Sequence, residues 1–124
     1  MKKSNILFFL VLLLVAASGT KAQTFTDVST FAQLQAAVSN GAHIRLTSDI
    51  TFTQQITIDN GVKVVIDGNG NTLTGSSCRA FLVNSSAVLS LKNVTINGFD
   101  LNAGGGAFRN YGTLVFDGCT VSNN

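Results

Sequence analysis

A chain of 124 residues holds one domain, and its eight Lys and Arg against six acidic residues give a formal net charge of +2. Three of the cations, Lys2, Lys3 and Lys21, lie at the N-terminus; from Gln23 onward five basic groups face six Asp, net −1. No block of Lys or Arg is present to track phosphates, which argues against a nucleic-acid partner, and a composition rich in Gly, Asn, Thr, Ser and Val with no Pro, Trp or Glu favours strands and tight turns.

Residues 1–22 read as a signal peptide. Lys2 and Lys3 form a positive n-region, Ile6 to Ala17 an apolar run of twelve residues, and Thr20-Lys21-Ala22 ends in a small residue, so cleavage after Ala22 leaves 102 residues. Twelve residues reach about 18 Å as a helix, short of the roughly 30 Å of a bilayer core, so a leader fits better than an anchor. The domain expected over 23–124 opens with a helix at about 29–40. Thr30 and Gln33 make a capping box, Phe31, Leu34 and Val38 share a face, and Gly41 can end it. Its apolar stripe suits a plug over one end of the fold. His43-Ile44-Arg45-Leu46 and Ile50-Thr51-Phe52 then form a first, irregular coil, with coils expected from about 43 to 124.

A repeat governs the rest. Val64-Val65-Ile66-Asp67-Gly68, Leu89-Ser90-Leu91-Lys92-Asn93 and Leu114-Val115-Phe116-Asp117-Gly118 align, and their central residues Ile66, Leu91 and Phe116 are 25 and 25 apart. A second row, Ile58, Val83 and Phe108, shares that interval; a third, Leu73, Ile96 and Val121, follows at 23 and 25, the shortfall sitting in Asp67-Gly68-Asn69-Gly70-Asn71. Each coil thus carries three short strands separated by Gly, Asn and Ser. A strand of three to five residues cannot bury its apolar side alone, whereas parallel copies stacked about 4.8 Å apart complete both hydrogen bonds and core. The expected fold is therefore all-β: a right-handed parallel β-helix, a solenoid of three strands per coil of about 25 residues, with an N-terminal capping helix. A β-sandwich would not require a constant interval.

The outward neighbours agree with this register, since Asp67, Lys92 and Asp117 stack as minus, plus, minus. Asn60, Asn84 and Asn110, at intervals of 24 and 26, suggest an asparagine ladder in a turn. At the far end Val121-Ser122-Asn123-Asn124 stops in mid-coil. Further coils or a partner are expected over that edge, and the chain reads as the N-terminal part of a longer protein.

Gly104-Gly105-Gly106-Ala107-Phe108-Arg109-Asn110, followed by Gly112-Thr113-Leu114-Val115-Phe116-Asp117-Gly118-Cys119-Thr120-Val121-Ser122-Asn123-Asn124, resembles the repeat of polymorphic outer membrane proteins and related surface adhesins. The stretch from Phe31 to Gly75 also resembles the opening of pectin-lyase-like β-helix proteins, with a helix and then "ITID" and "VVIDGNG" strands. The resemblance implies a secreted or cell-surface β-helix, at the outer membrane if bacterial, with a structural or adhesive role. Glycans or surface proteins are the partners it implies, and a membrane only through a C-terminal region.

Polysaccharide lyases and hydrolases use the same scaffold, so the alternative is the N-terminal part of such an enzyme. The stacked carboxylates Asp67 and Asp117 are two coils, roughly 9.6 Å, apart with Lys92 between them, too far to share a metal and at the outer limit for a glycosidase pair. His43 has no second ligand nearby, Gly68-Asn69-Gly70 has no following helix to make a phosphate loop, and Arg45, Arg79 and Arg109 share no row and read as solvated surface. No catalytic residue, metal ligand or cofactor is therefore expected. Cys78 and Cys119 fall at different positions around the coil, which argues against a bridge between them. Asn84-Ser85-Ser86 and Asn93-Val94-Thr95 are sequons, glycosylated only in a eukaryotic secretory pathway; a glycan at Asn93 would sit in a turn, opposite Gly68 and Gly118.

Overall fold

The computed structural model describes residues 24–100 and 106–124. The expected signal peptide over 1–22, and Gly104 and Gly105 of the Gly-Gly-Ala motif, lie outside the described residues. In chain order the elements are β1 (Thr26–Val28), α1 (Phe31–Ala37), β2 (Ala42–Leu46), β3 (Ile50–Phe52), β4 (Ile56–Ile58) and β5 (Lys63–Asp67). They continue with β6 (Thr72–Gly75), β7 (Phe81–Val83), β8 (Val88–Lys92), β9 (Thr95–Asn97), β10 (Phe108–Asn110), β11 (Thr113–Asp117) and β12 (Thr120–Ser122).

Strands this short pair only with their counterparts one coil away, and every pairing is parallel. Three sheets result: five-stranded β1-β2-β5-β8-β11, four-stranded β3-β6-β9-β12 and three-stranded β4-β7-β10. The fold is a parallel β-helix. Alternation along each strand sends one set of side chains inward, so Val64, Ile66, Leu89 and Leu91 are buried while Val65 and Ser90 between them are partly exposed. Ile44, Ile66, Leu91 and Phe116 lie opposite one another in the first sheet, and Ile50, Leu73, Ile96 and Val121 in the second.

Corner lengths decide where the rows shift. The β5–β6 corner, 68–71, is two residues longer than the β8–β9 and β11–β12 corners, which makes the Leu73-to-Ile96 interval 23. Asn71 fills that longer corner, its amide donating to the carbonyls of Leu46 at 3.2 Å and Gly68 at 3.0 Å. In the third sheet Ile58 faces Val83, but Phe108 does not continue their row: it faces Phe81, and Asn110 takes the place opposite Val83. The cause is the β10–β11 corner, which holds only Tyr111 and Gly112 where the earlier coils use four residues, 59–62 and 84–87. A slip of two keeps Phe108 on the inner face, its ring stacked on Phe81 at 6.0 Å. The expected asparagine ladder does not form: Asn60 is the second residue of its corner and Asn84 the first, while Asn110 lies in β10 opposite Val83, its Oδ1 accepting the Gly112 N–H at 3.0 Å. Only glycine fits at 112, where a Cβ would stand 2.4 Å from the Asn84 carbonyl and 2.5 Å from that of Ala87.

Aromatic side chains thread the interior. Phe31 of the helix meets Phe52 at 5.0 Å, Phe52 meets Phe81 at 5.5 Å and Phe99 at 5.1 Å, and Phe108 meets Phe116 at 5.3 Å. Gly75 makes room for Phe99, whose ring would lie 2.5 Å from a Cβ at that position.

Helix α1 packs against β1, β2 and β3 and buries Leu34 completely. Thr30 Oγ1 accepts from the Gln33 N–H at 3.2 Å, while Gln33 Oε1 reaches one residue further back, to the Ser29 N–H at 2.8 Å. The helix ends before Gly41, because Val38 is already extended; Gly41, at φ +84, turns the chain into β2. Among the described residues no strand pairs with the outer edge of the last rung, and Phe116 and Val121 are 45% and 47% exposed where Leu91 and Ile96 beneath them are at 0%.

Two outcomes follow in chemical denaturation. Leu91→Ala is expected to cost about 2–5 kcal/mol, from lost transfer energy plus the cavity, whereas Lys92→Ala costs under about 1 kcal/mol. Gly112→Ala is expected to cost about 1–3 kcal/mol, because its methyl meets backbone that cannot move without opening the corner.

Candidate functional site

Side chains that alternate out of a stacked sheet form columns, and on the five-stranded sheet one column is fully charged. Asp27, Arg45, Asp67, Lys92 and Asp117 occupy matching positions on β1, β2, β5, β8 and β11, alternating in sign across all five strands. Among the described residues the pair that closes to a salt bridge is Arg45–Asp27, with Nε at 2.9 Å from Oδ1 and Nη2 at 3.2 Å from Oδ2. The hydrogen bond and charge of Asp27, with a further contribution from Asp67 on the opposite side, hold the Arg45 guanidinium above its ordinary pKa. Asp67 also serves its own corner by accepting the Asn69 N–H at 2.9 Å. Beside this column Phe25 covers the first rungs, 6.2 Å from His43 and with the Arg45 guanidinium 5.5 Å from its ring centre.

The outer face of the four-stranded sheet is of a different kind. Thr51, Thr74, Asn97 and Ser122 form one column and Thr72, Thr95 and Thr120 another, all uncharged. β-Branched threonine is stiff about χ1, so these hydroxyls are held in fixed positions. Thr51 and Thr74 share a hydroxyl–hydroxyl bond of 3.3 Å, and Asn97 Oδ1 is buried without a hydrogen-bond partner. On the three-stranded sheet the outward row is Thr57, Leu82 and Arg109, with the Arg109 guanidinium 5.4 Å from the ring centre of Tyr111.

Of the arginines singled out in the sequence, Arg79 stands elsewhere than expected. Arg45, with its side chain 42% exposed in the charged column, and Arg109 both lie on the outer surface, whereas Arg79 is buried, its Nη1 donating to Gln55 Oε1 at 2.7 Å. Cys78 and Cys119 are free thiols, Cys119 Sγ lying 3.2 Å from the Leu91 carbonyl oxygen. Asn93 is exposed at a corner with φ +48, and Asn84 is half-buried. Among the described residues no three His, Cys, Asp or Glu side chains converge on a metal position. Asp67 and Asp117 are two rungs apart with Lys92 between them, so each carboxylate faces a cation.

This arrangement of a β-helix with surface columns agrees with what the chain resembles. Residues 25–123 match the family described as "Putative pectate lyase-like adhesive domain". The chain belongs to this family. No curated protein and no solved structure matches it. For a pectate lyase-like adhesive domain, the parts open to a partner are the outer columns and the corners between them.

The charged column can be probed directly. Reversing its fourth member, Lys92→Asp, sets three carboxylates in succession on neighbouring strands, so its thermal midpoint should fall below that of Lys92→Ala. Raising ionic strength should bring the two variants together, because exposed charges are screened within about 8 Å at physiological salt and within less as salt rises.

Proposed function

We propose that the chain is an adhesive module, exported by the signal peptide over residues 1–22 and displayed at the cell surface, that holds glycans or surface proteins on the outer faces of its sheets and performs no chemistry of its own. The observation that carries this reading is the family match over residues 25–123 on a β-helix whose strand carboxylates Asp27, Asp67 and Asp117 alternate with Arg45 and Lys92 in one column. A glycan-cleaving site needs carboxylates released from such pairing, held near a base or a bound cation. A surface that only adheres needs rigid, repeated, solvent-facing groups, which the threonine columns and the Arg109–Tyr111 pair supply.

The finer assignment, to the polymorphic outer membrane type, is supported by Gly104-Gly105-Gly106-Ala107 and its following strands. In that setting the module lies outside the outer membrane of a bacterium, and a C-terminal region supplies the membrane attachment; among the described residues no helix is long and apolar enough to cross a bilayer.

Adhesion and cleavage are separated by one preparation. The exported chain, whose N-terminus should be Gln23 by mass spectrometry, is immobilised and challenged with an array of plant, bacterial and animal glycans, and separately mixed with polygalacturonate in solution. Retention of at least one glycan class with no fall in polygalacturonate viscosity is the expected result. Progressive loss of viscosity over many turnovers would replace the adhesive reading with that of a lyase or hydrolase.

A further inference from the structure

The sequence holds four Asn-Gly dipeptides, Asn40-Gly41, Asn60-Gly61, Asn69-Gly70 and Asn97-Gly98. In each the glycine turns the chain with a positive φ, between +76 and +84. An Asn-Gly bond is labile in a flexible chain. The glycine nitrogen, once it has lost its proton, can attack the asparagine Cγ, and glycine has no Cβ to obstruct the approach.

Stacking treats the four bonds differently. The Gly41 N–H donates to the Lys63 carbonyl at 2.8 Å, the Gly70 N–H to the Asn93 carbonyl at 2.9 Å and the Gly98 N–H to the Asn123 carbonyl at 3.1 Å, each acceptor lying one coil further on. Before any of these nitrogens can attack, a bond that joins two coils has to open. Two of the asparagines are held as well: Asn40 Oδ1 accepts the Lys63 N–H at 3.0 Å, and Asn97 Oδ1 is buried.

Gly61 is the exception. Among the described residues nothing accepts its N–H, the Asn60 side chain makes no hydrogen bond, and both residues are exposed. The cause lies in how the coils join around this corner. The Asn84 N–H donates to the Ile58 carbonyl at 3.0 Å and the Val88 N–H to the Val62 carbonyl at 2.9 Å, so the ladder steps over residues 59–61. The corner is closed only within itself, by the Val62 N–H on the Asp59 carbonyl at 3.0 Å, which leaves the reacting atoms unengaged.

We infer that Asn60 is a site of spontaneous deamidation, which the fold confines to this one of the four Asn-Gly bonds. The Gly61 nitrogen gives its proton to solvent base and forms a bond to the Asn60 Cγ. The bond from Cγ to the side-chain nitrogen breaks, ammonia leaves, and a succinimide ring closes. Water then adds to either ring carbonyl and breaks that carbonyl's bond to the ring nitrogen, giving aspartate or iso-aspartate. Either product sets a new carboxylate beside Asp59, and the iso-aspartyl form adds one carbon to the backbone of the corner between β4 and β5. The inference rests on the fold and not on the adhesive reading.

The test ages the full chain in buffer at neutral and at mildly alkaline pH. Each Asn-Gly bond is followed by peptide mapping, with mass spectrometry that separates aspartate from iso-aspartate. In the folded chain Asn60 should be converted at least several-fold faster than Asn40, Asn69 and Asn97, and faster at the higher pH, because the attacking nitrogen must be deprotonated. In full denaturant the gap should close, since no coil then holds the other glycines. Asn60→Gln should abolish the fast ammonia release of the folded chain. Conversion of any of the other three as fast as Asn60 in the folded chain overturns the inference. So does a gap that persists undiminished in denaturant, which would assign it to neighbouring residues in the sequence, or a Gly61 amide as protected from hydrogen exchange as those of Gly41, Gly70 and Gly98. None of these readouts involves glycan retention, so the adhesive proposal stands or falls separately.

Discussion

Everything in this molecule depends on lateral pairing between identical positions of successive coils. A strand such as β4 or β7 has three residues, two of them facing inward, and burying an aliphatic side chain is worth roughly 1.5–3 kcal/mol against an ordering cost of about 1–2 kcal/mol for each residue's backbone. Alone, such a strand does not pay its way. Stacked, it acquires hydrogen bonds on both edges and a core neighbour above and below, so the stability of each coil is largely a property of its contacts with the next.

That dependence gives the corners their authority. A strand slipped by one residue would turn its apolar set to solvent, whereas a slip of two preserves the inner face. Both irregularities here are of two residues: the longer β5–β6 corner around Asn69 and Gly70, and the shorter β10–β11 corner at Tyr111 and Gly112. The first is absorbed by the Asn71 amide and the second by a glycine against which two carbonyls press. Phe108 moves from the Val83 level to the Phe81 level without leaving the core.

The outer surface follows from the same stacking. Whatever alternates outward on one strand recurs on the next at a fixed spacing, so single residues become columns: charged on one sheet, hydroxyl-rich on another, mixed on the third. Within the charged column each group faces opposite charges, which sets register and leaves little net charge to attract a polyelectrolyte. The hydroxyl columns and the Arg109–Tyr111 pair lie outside this column, and they are the contacts the proposed adhesive role would use.

The residues themselves determined the class of fold, because a repeated interval among Ile66, Leu91 and Phe116 has one economical physical meaning: parallel strands stacked in register. They also determined the helix at Phe31–Ala37 with its Thr30 cap, since a cap, an apolar stripe and a compatible length are local properties. Tertiary structure alone decided the rest. Strand β1 has three residues and one buried side chain, a signal too small to see until it pairs with β2; with it came the placement of Asp27 and Arg45, whose intervals to the next rung are set by a helix and a first coil of different length. The level of Phe108 hung on how few residues the corner at 111–112 contains, the burial of Arg79 on a glutamine one coil away, and the aromatic thread on rings brought together from different sheets. Period and pattern are written along the chain, but corner length and contact across coils exist only once the coils have closed.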